Sequence, residues 1–234
     1  LASARPGFNW LDLGSGFNQA IDDAFEPRYS DTPISIAYRG KAFAVGLFPT
    51  ENHRAHYPEI MEIERRLVNN QRFFDMRGKG WLDTNVSQWP QMDLVTSEMG
   101  VLSYMPTIDD WVLAFNKALL ILKTNGLFPI RLNYMDLIFV NEKYMPLYSD
   151  STKFMKYKTL LQKIFSSIPG LELIYFSAAG PRERFQTFSI ILKKTSATAK
   201  FPRMVGVTEL PEKGPPSHFI ELQKSFAQCG LIFQ

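Results

Sequence analysis

Trp10-Leu-Asp-Leu-Gly-Ser-Gly16 is the stretch on which the reading of the fold turns. Residues 9–13 form a short, mostly apolar strand, and Gly14-Ser15-Gly16 closes it. Residues 17–25 then have helical character until Glu26-Pro27 stops them. A strand that enters a helix through a glycine turn leaves no Cβ where backbone must approach a ligand. The free N–H groups and the dipole at the helix start favour an electron-rich or anionic group. Asp12 stands just before the turn, where a carboxylate meets a cation. Two common nucleotide loops are excluded. No G-x-x-x-x-G-K-[ST] run occurs, and position 19 is Gln where the G-x-G-x-x-G fingerprint needs its third glycine.

Working outward, 33–38 and 42–48 both read as strands around the turn-like Arg39-Gly40-Lys41, and either could be the second strand of the sheet. Residues 56–70 look like one helix with Ile60, Ile63, Leu67 and Val68 on its apolar side. A third strand is expected at 72–76 and a fourth at 92–96. Thr107, three residues before Asp110, announces a helix running to about Thr124, with Val112, Phe115, Leu119 and Leu122 as its buried stripe and Asn125-Gly126 as its cap. A strand at 127–132, an amphipathic helix at 150–167 and strands at 171–176 and 185–193 follow. Strands alternating with helices imply a mostly parallel sheet flanked by helices, a Rossmann-like α/β fold. The last two strands lie too close for a crossover helix and must form an antiparallel hairpin. Residues 1–194 are expected to form this domain, and 195–234 a linker with a short C-terminal amphipathic helix.

Composition narrows the class. The chain has 234 residues, 45% hydrophobic and 21% charged, ordinary values for a globular protein, so global disorder is excluded. A formal net charge of +3 permits an anionic partner without demanding one. The single cysteine, Cys229, rules out an internal disulfide framework and suits a reducing, cytoplasmic setting. The apolar runs are too short to span a membrane, and no signal peptide is visible. Beginning at Leu1 and reaching a buried strand almost at once, the chain reads as part of a longer polypeptide.

The run Trp10–Gly16 resembles motif I of the class I S-adenosylmethionine-dependent methyltransferases. Met92-Asp-Leu-Val-Thr-Ser-Glu-Met99 resembles the fourth strand of that family, and Leu119-Leu-Ile-Leu-Lys-Thr-Asn-Gly-Leu127 the approach to its fifth. The resemblance spans about residues 8–194 and implies S-adenosylmethionine as cofactor. It places Asp12, Gly14, Ser15 and Gly16 on the donor's methionine part. Asp75, or with less reason Asp83, would contact the adenine, and Glu98 would lie beside both donor and transfer site. No acidic residue ends either candidate second strand, where the family holds the ribose; the tips are Tyr38-Arg39 and Phe48-Pro49, with Glu51 nearby.

The second half looks most like FtsJ-type ribose 2′-O-methyltransferases, which include cap-methylating domains of viral polymerases. Their Lys-Asp-Lys-Glu tetrad is degenerate here: Glu98 falls on the Asp, Arg131 on the second Lys and Phe188 on the Glu, while the first Lys would lie near or before Arg5. An arginine stays charged and cannot serve as a base near neutrality. The resemblance therefore implies a methyltransferase acting on RNA, with Glu98 and Arg131 at the catalytic positions. A small-molecule or protein methyltransferase and an inactive binding or scaffold domain are the alternatives. Lys153, Lys156, Lys158 and Lys163, with Arg182 and Arg184, are candidates for phosphate contacts, and Tyr104 for the aromatic beside the substrate. His53 and His56 have a metal-like spacing but no third ligand, so no metal is expected; either is a candidate general base. Trp81, Trp89 and Trp111 are expected to lie partly in the core.

Overall fold

The computed structural model describes residues 6–26, 38–78, 80–98, 100–103, 105, 108–133, 159, 162, 164–178 and 187–201. In chain order the elements are β1 (Asn9–Leu13), α1 (Gln19–Phe25), β2 (Lys41–Val45), α2 (Glu51–His56), α3 (Glu59–Val68), β3 (Phe73–Asp75) and β4 (Met92–Glu98). After a 3₁₀ turn at Val101–Ser103 come α4 (Ile108–Ile121), β5 (Leu122–Asn133), β6 (Leu171–Ala178) and β7 (Thr187–Lys194). The seven strands form one sheet in the order β3-β2-β1-β4-β5-β7-β6. The first five run parallel, and β7 is antiparallel to both β5 and β6. This is the expected Rossmann-like sheet with its antiparallel ending.

The central strands are apolar on both faces because both faces are covered. Leu11, Leu13, Phe43 and Val45 point into one core with Trp111, Phe115, Phe128 and Phe188. Trp10, Ala42, Ala44 and Leu94 point into the other, against Ile21 and Phe25 of α1 and Ile63 and Leu67 of α3. The expected stripe of α4 is buried throughout, and Trp81 and Trp111 lie in the core with Trp89 against it.

Several boundaries differ from expectation for local reasons. The second strand is the 42–48 segment, shortened to Lys41–Val45; 33–37 lie outside the described residues. The helix expected at 56–70 spans Glu59–Val68, and an unexpected short helix precedes it at Glu51–His56. Pro58 disfavours a helical conformation at the residue before it, and Tyr57 turns out to φ −129°, ψ 78°. Val68 is exposed rather than on the buried face of α3. Helix α4 ends at Ile121, not Thr124, because Leu122 already pairs with Met92 and the buried Lys194 ammonium donates to Leu119 O and Leu122 O at 2.6 Å each. The register then jumps to Leu94 opposite Leu127, so Lys123–Gly126 bulge out, with Asn125 at φ +68°. Of the helix expected at 150–167, residues 159, 162 and 164–166 are helical among those described. The described start of the expected linker is docked: Phe201 is buried against Trp111 and Phe115, and Asn116 bonds its N–H and carbonyl at 2.7 and 3.1 Å.

Candidate functional site

The parallel strands all end at the same edge of the sheet, and the tips of β1, β2 and β4 meet there. A cleft of about 510 Å³ opens at this point, lined in part by Gly14, Gly16, Gly46, His53, Trp81 and Gly100. It sits where the strand order reverses, since the chain places β2 on one side of β1 and β4 on the other. Open α/β sheets bind ligands at such switch points, because the loops diverge there and leave a crevice.

The glycine turn has two distinct roles. A Cβ on Gly14 would lie 2.2 Å from Gly100 Cα, and Gly14 sits at φ +93°, so this glycine is required by backbone meeting backbone. Gly100 is bound by the same contact, since its own Cβ would fall 2.0 Å from Leu13 O. Gly16, at φ +51°, has nothing nearer to its missing Cβ than Gly14 O at 3.9 Å. It is among the residues that line the cleft. The N–H groups of Gly14 and Ser15 do not wait for a ligand, as they bond Val45 O at 2.6 and 3.1 Å. They fix the turn to the tip of β2.

Asp12 is buried beneath the turn. Trp10 Nε1 donates to Thr96 Oγ1 at 2.8 Å, and Thr96 Oγ1 donates to Asp12 Oδ1 at 2.9 Å. Burial pushes the Asp12 carboxyl up to about 6; the Thr96 hydroxyl opposes this and the charge of Glu98 adds to it. A carboxylate so short of solvation is stabilised by any cation brought beside it.

Behind the turn, the buried Arg77 guanidinium ties the elements around the cleft together. It donates to both oxygens of Asp75 (Nη2–Oδ2 2.7 Å), to Glu64 at 3.3 Å and to Gly16 O at 3.3 Å. It lies 5.1 Å from the ring centre of Phe48. Asn18, at φ +62°, completes the set, its amide donating to Ser15 Oγ at 2.8 Å and accepting from Arg77. Burial raises the Asp75 carboxyl, but the Arg77 bonds and charge outweigh it and hold the group below the usual carboxylate range. Asp75 thus borders a neighbouring hollow with Arg54 and Glu64, and Asp83 a third with Asn85 and Trp89.

Glu98 and Arg131 stand side by side at the ends of β4 and β5, with Nη1–Oε1 at 2.8 Å and both side chains largely exposed. Phe188 is turned to the opposite face, fully buried and 6.1 Å from the Phe176 ring. His56 bonds Asn52 O at 2.8 Å and is not among the residues lining the cleft. Tyr104, Lys153, Lys156, Lys158, Lys163, Arg182 and Arg184 lie outside the described residues. Among the described residues no group of three or more His, Cys, Asp or Glu could hold a metal, and no helix is long and apolar enough to cross a membrane. Gly46, Gly100 and Arg77 carry no motif in the sequence; a glycine interrupting the expected 42–48 strand is the one signal available for the first.

In three dimensions the fold is similar to those of several solved structures. The chain resembles a proposed S-adenosylmethionine-dependent methyltransferase from Listeria monocytogenes with TM-score 0.51 at 15% identity, covering 82% of this chain and 92% of that one. A proposed hemolysin from Streptococcus thermophilus gives TM-score 0.52 at 10% identity, over 97% of this chain and 70% of the other. An rRNA methylase from Streptococcus thermophilus gives 0.48 at 11% identity, over 81% and 88%. No family model and no curated protein matches the chain. The fold is methyltransferase-like, structurally similar to class I S-adenosylmethionine-dependent enzymes.

The cleft offers some of what such a donor needs. Gly16 leaves room for close approach, and Phe17, Phe48 and Trp81 give the cleft apolar walls suited to a base. Asp12 lies buried beneath the turn and is not among the lining residues. No carboxylate lines the cleft among the described residues.

Proposed function

We propose that this domain is an S-adenosylmethionine-dependent methyltransferase acting on RNA. The observation that carries the reading is the cleft at the switch point, with Gly16 lining it and the buried Asp12 carboxylate beneath its turn. When bound, the donor supplies an electrophilic methyl on a sulfonium. The protein's part is to hold that group and bring an acceptor in line with it. Asp12 would hold the ammonium, the Gly14–Gly16 turn the methionine backbone, and the aromatic walls the adenine, with Asp75 steadying the loop beside it through Arg77.

Beyond the donor, Glu98 and Arg131 occupy the rim of β4 and β5. Arg131 presents a guanidinium suited to a phosphate, and Glu98 orients it. In the FtsJ-type reading, Tyr104, Lys153, Lys156 and Arg182 are the candidates for RNA contacts. A second reading, donor binding without transfer, is favoured by one observation: Phe188 is buried and places no carboxylate beside Arg131.

Calorimetry with S-adenosylmethionine and S-adenosylhomocysteine, followed by transfer of a labelled methyl group to capped RNA, uncapped RNA and small metabolites, tests both readings. Label in RNA supports the first, and label only in small molecules replaces RNA as acceptor. Binding without label selects the second, and absence of binding removes both.

A further inference from the structure

Resting on the donor reading above, we infer that His53 holds the ribose hydroxyls of the nucleoside in the cleft, with an imidazole N–H where nucleotide-binding sheets usually place a carboxylate. The cleft itself points to this residue. Among its described lining residues, His53 carries the only ionisable side chain. The one other side-chain N–H there, Trp81 Nε1, is committed to Ala114 O at 3.1 Å.

The local fold fixes how the imidazole is presented. His53 is the third residue of α2, and its backbone N–H donates to Thr50 Oγ1 at 3.2 Å. Thr50 N–H donates back to His53 Nδ1 at 3.2 Å, closing a capping box in which His takes the place usually held by Glu or Gln. Because Nδ1 accepts, the proton of the neutral ring sits on Nε2. The ring is braced edge-on by Phe17, with centroids 5.6 Å apart. No described residue bonds Nε2. It is a fixed donor at the rim of a cleft that otherwise has apolar walls.

Its place in the sheet selects the ligand group. Helix α2 starts just beyond β2, the strand next to the glycine turn, where nucleotide-binding α/β sheets hold the ribose. A carboxylate there accepts hydrogen bonds from the hydroxyls, whereas an Nε2–H donates one to a hydroxyl oxygen. The polarity of the contact is reversed, with a ribose hydroxyl oxygen as the acceptor.

Calorimetry with S-adenosylhomocysteine and its 2′-deoxy and 3′-deoxy forms, on the wild type, His53→Phe and His53→Gln, tests the assignment. One neutral hydrogen bond corresponds to a loss of roughly three- to tenfold in affinity. His53→Phe, which keeps a ring against Phe17, is expected to lose that factor on the parent ligand and nothing on one deoxy form. His53→Gln, which preserves the capping box and an N–H donor, is expected to recover most of it. Equal affinity of His53→Phe and wild type overturns the inference while leaving the donor reading intact, as does an equal loss on all three ligands. An Nδ1–H tautomer in nitrogen-15 spectra of the free protein overturns it independently. Absence of binding by the wild type removes the donor reading and this inference together.

Discussion

The C-terminal edge of the sheet has two sides built on opposite electrostatic plans. At the tips of β1, β2 and β3 a buried charge stands at the centre of each group: Asp12 under its turn, Arg77 between the partly exposed Asp75 and Glu64, and nearby Asp22 against Arg66 at 2.7 Å. At the tips of β4 and β5 the Glu98–Arg131 pair stands in solvent, 64% and 45% exposed. Buried charges that lose a partner destabilise strongly, whereas exposed pairs contribute little. One side is therefore pre-organised for a fixed ligand, and the other is free to change its substrate contacts at almost no cost in stability.

The largest effect that tests this contrast is Gly14→Ala. The new Cβ would fall on Gly100 Cα in a left-handed backbone, so a loss of about 4 kcal/mol or more is expected, read as failure to fold or a collapsed urea midpoint. Arg77→Met comes next. It strips Asp75 and Glu64 of their shared cation and is expected to cost about 3 kcal/mol by urea denaturation, with Arg77→Lys in between. A loss below about 1 kcal/mol would remove the distinction between the two sides.

Asp12→Asn is smaller and of opposite sign. The folded carboxyl titrates near 6, above its ordinary 3.8, so it is neutral in both states in strong acid and must ionise while buried as pH rises. Stability should fall between about pH 4 and 6 in the wild type and stay level in the variant, which gains about 1–3 kcal/mol at neutral pH. The same variant should lose donor binding, and wild-type affinity should drop as pH falls through 6. Thermal melts and calorimetry across that window check both halves. The smallest effects belong to the other side: Glu98→Ala and Arg131→Ala should each change stability by no more than about 0.5 kcal/mol. A larger shift in melting temperature from either would place that pair with the buried set.

The sheet was legible in the sequence because its strands are short apolar runs bounded by turn residues, and β1 reads correctly residue by residue. Of the expected α4 stripe, Val112, Phe115 and Leu119 are helical and buried while Leu122 is buried in β5. The break at Pro58 was written in the sequence and outweighed by the apolar periodicity around it. The early end of α4 was not readable, since it depends on Lys194 reaching carbonyls more than seventy residues away. The site was half visible. Asp12-Leu-Gly-Ser-Gly16 marked the turn, but Gly100 and Arg77 matter through contacts across the chain that no local spacing encodes. His53 reads in the sequence as a metal or base candidate, and its position on the cleft wall follows from the strand–loop–helix path after β2.

One feature of the sheet governs how the domain is made. Strand β7 is the last strand among the described residues yet lies inside the sheet, between β5 and β6. Until it arrives, β6 has no neighbour, the edge of β5 stands open, and the end of α4 lacks the ammonium of Lys194. During synthesis the nascent chain therefore carries an open strand edge until residue 194 has emerged, a state prone to mispairing. Truncation before that residue would remove a wedge from the middle of the sheet, not a tail from its end.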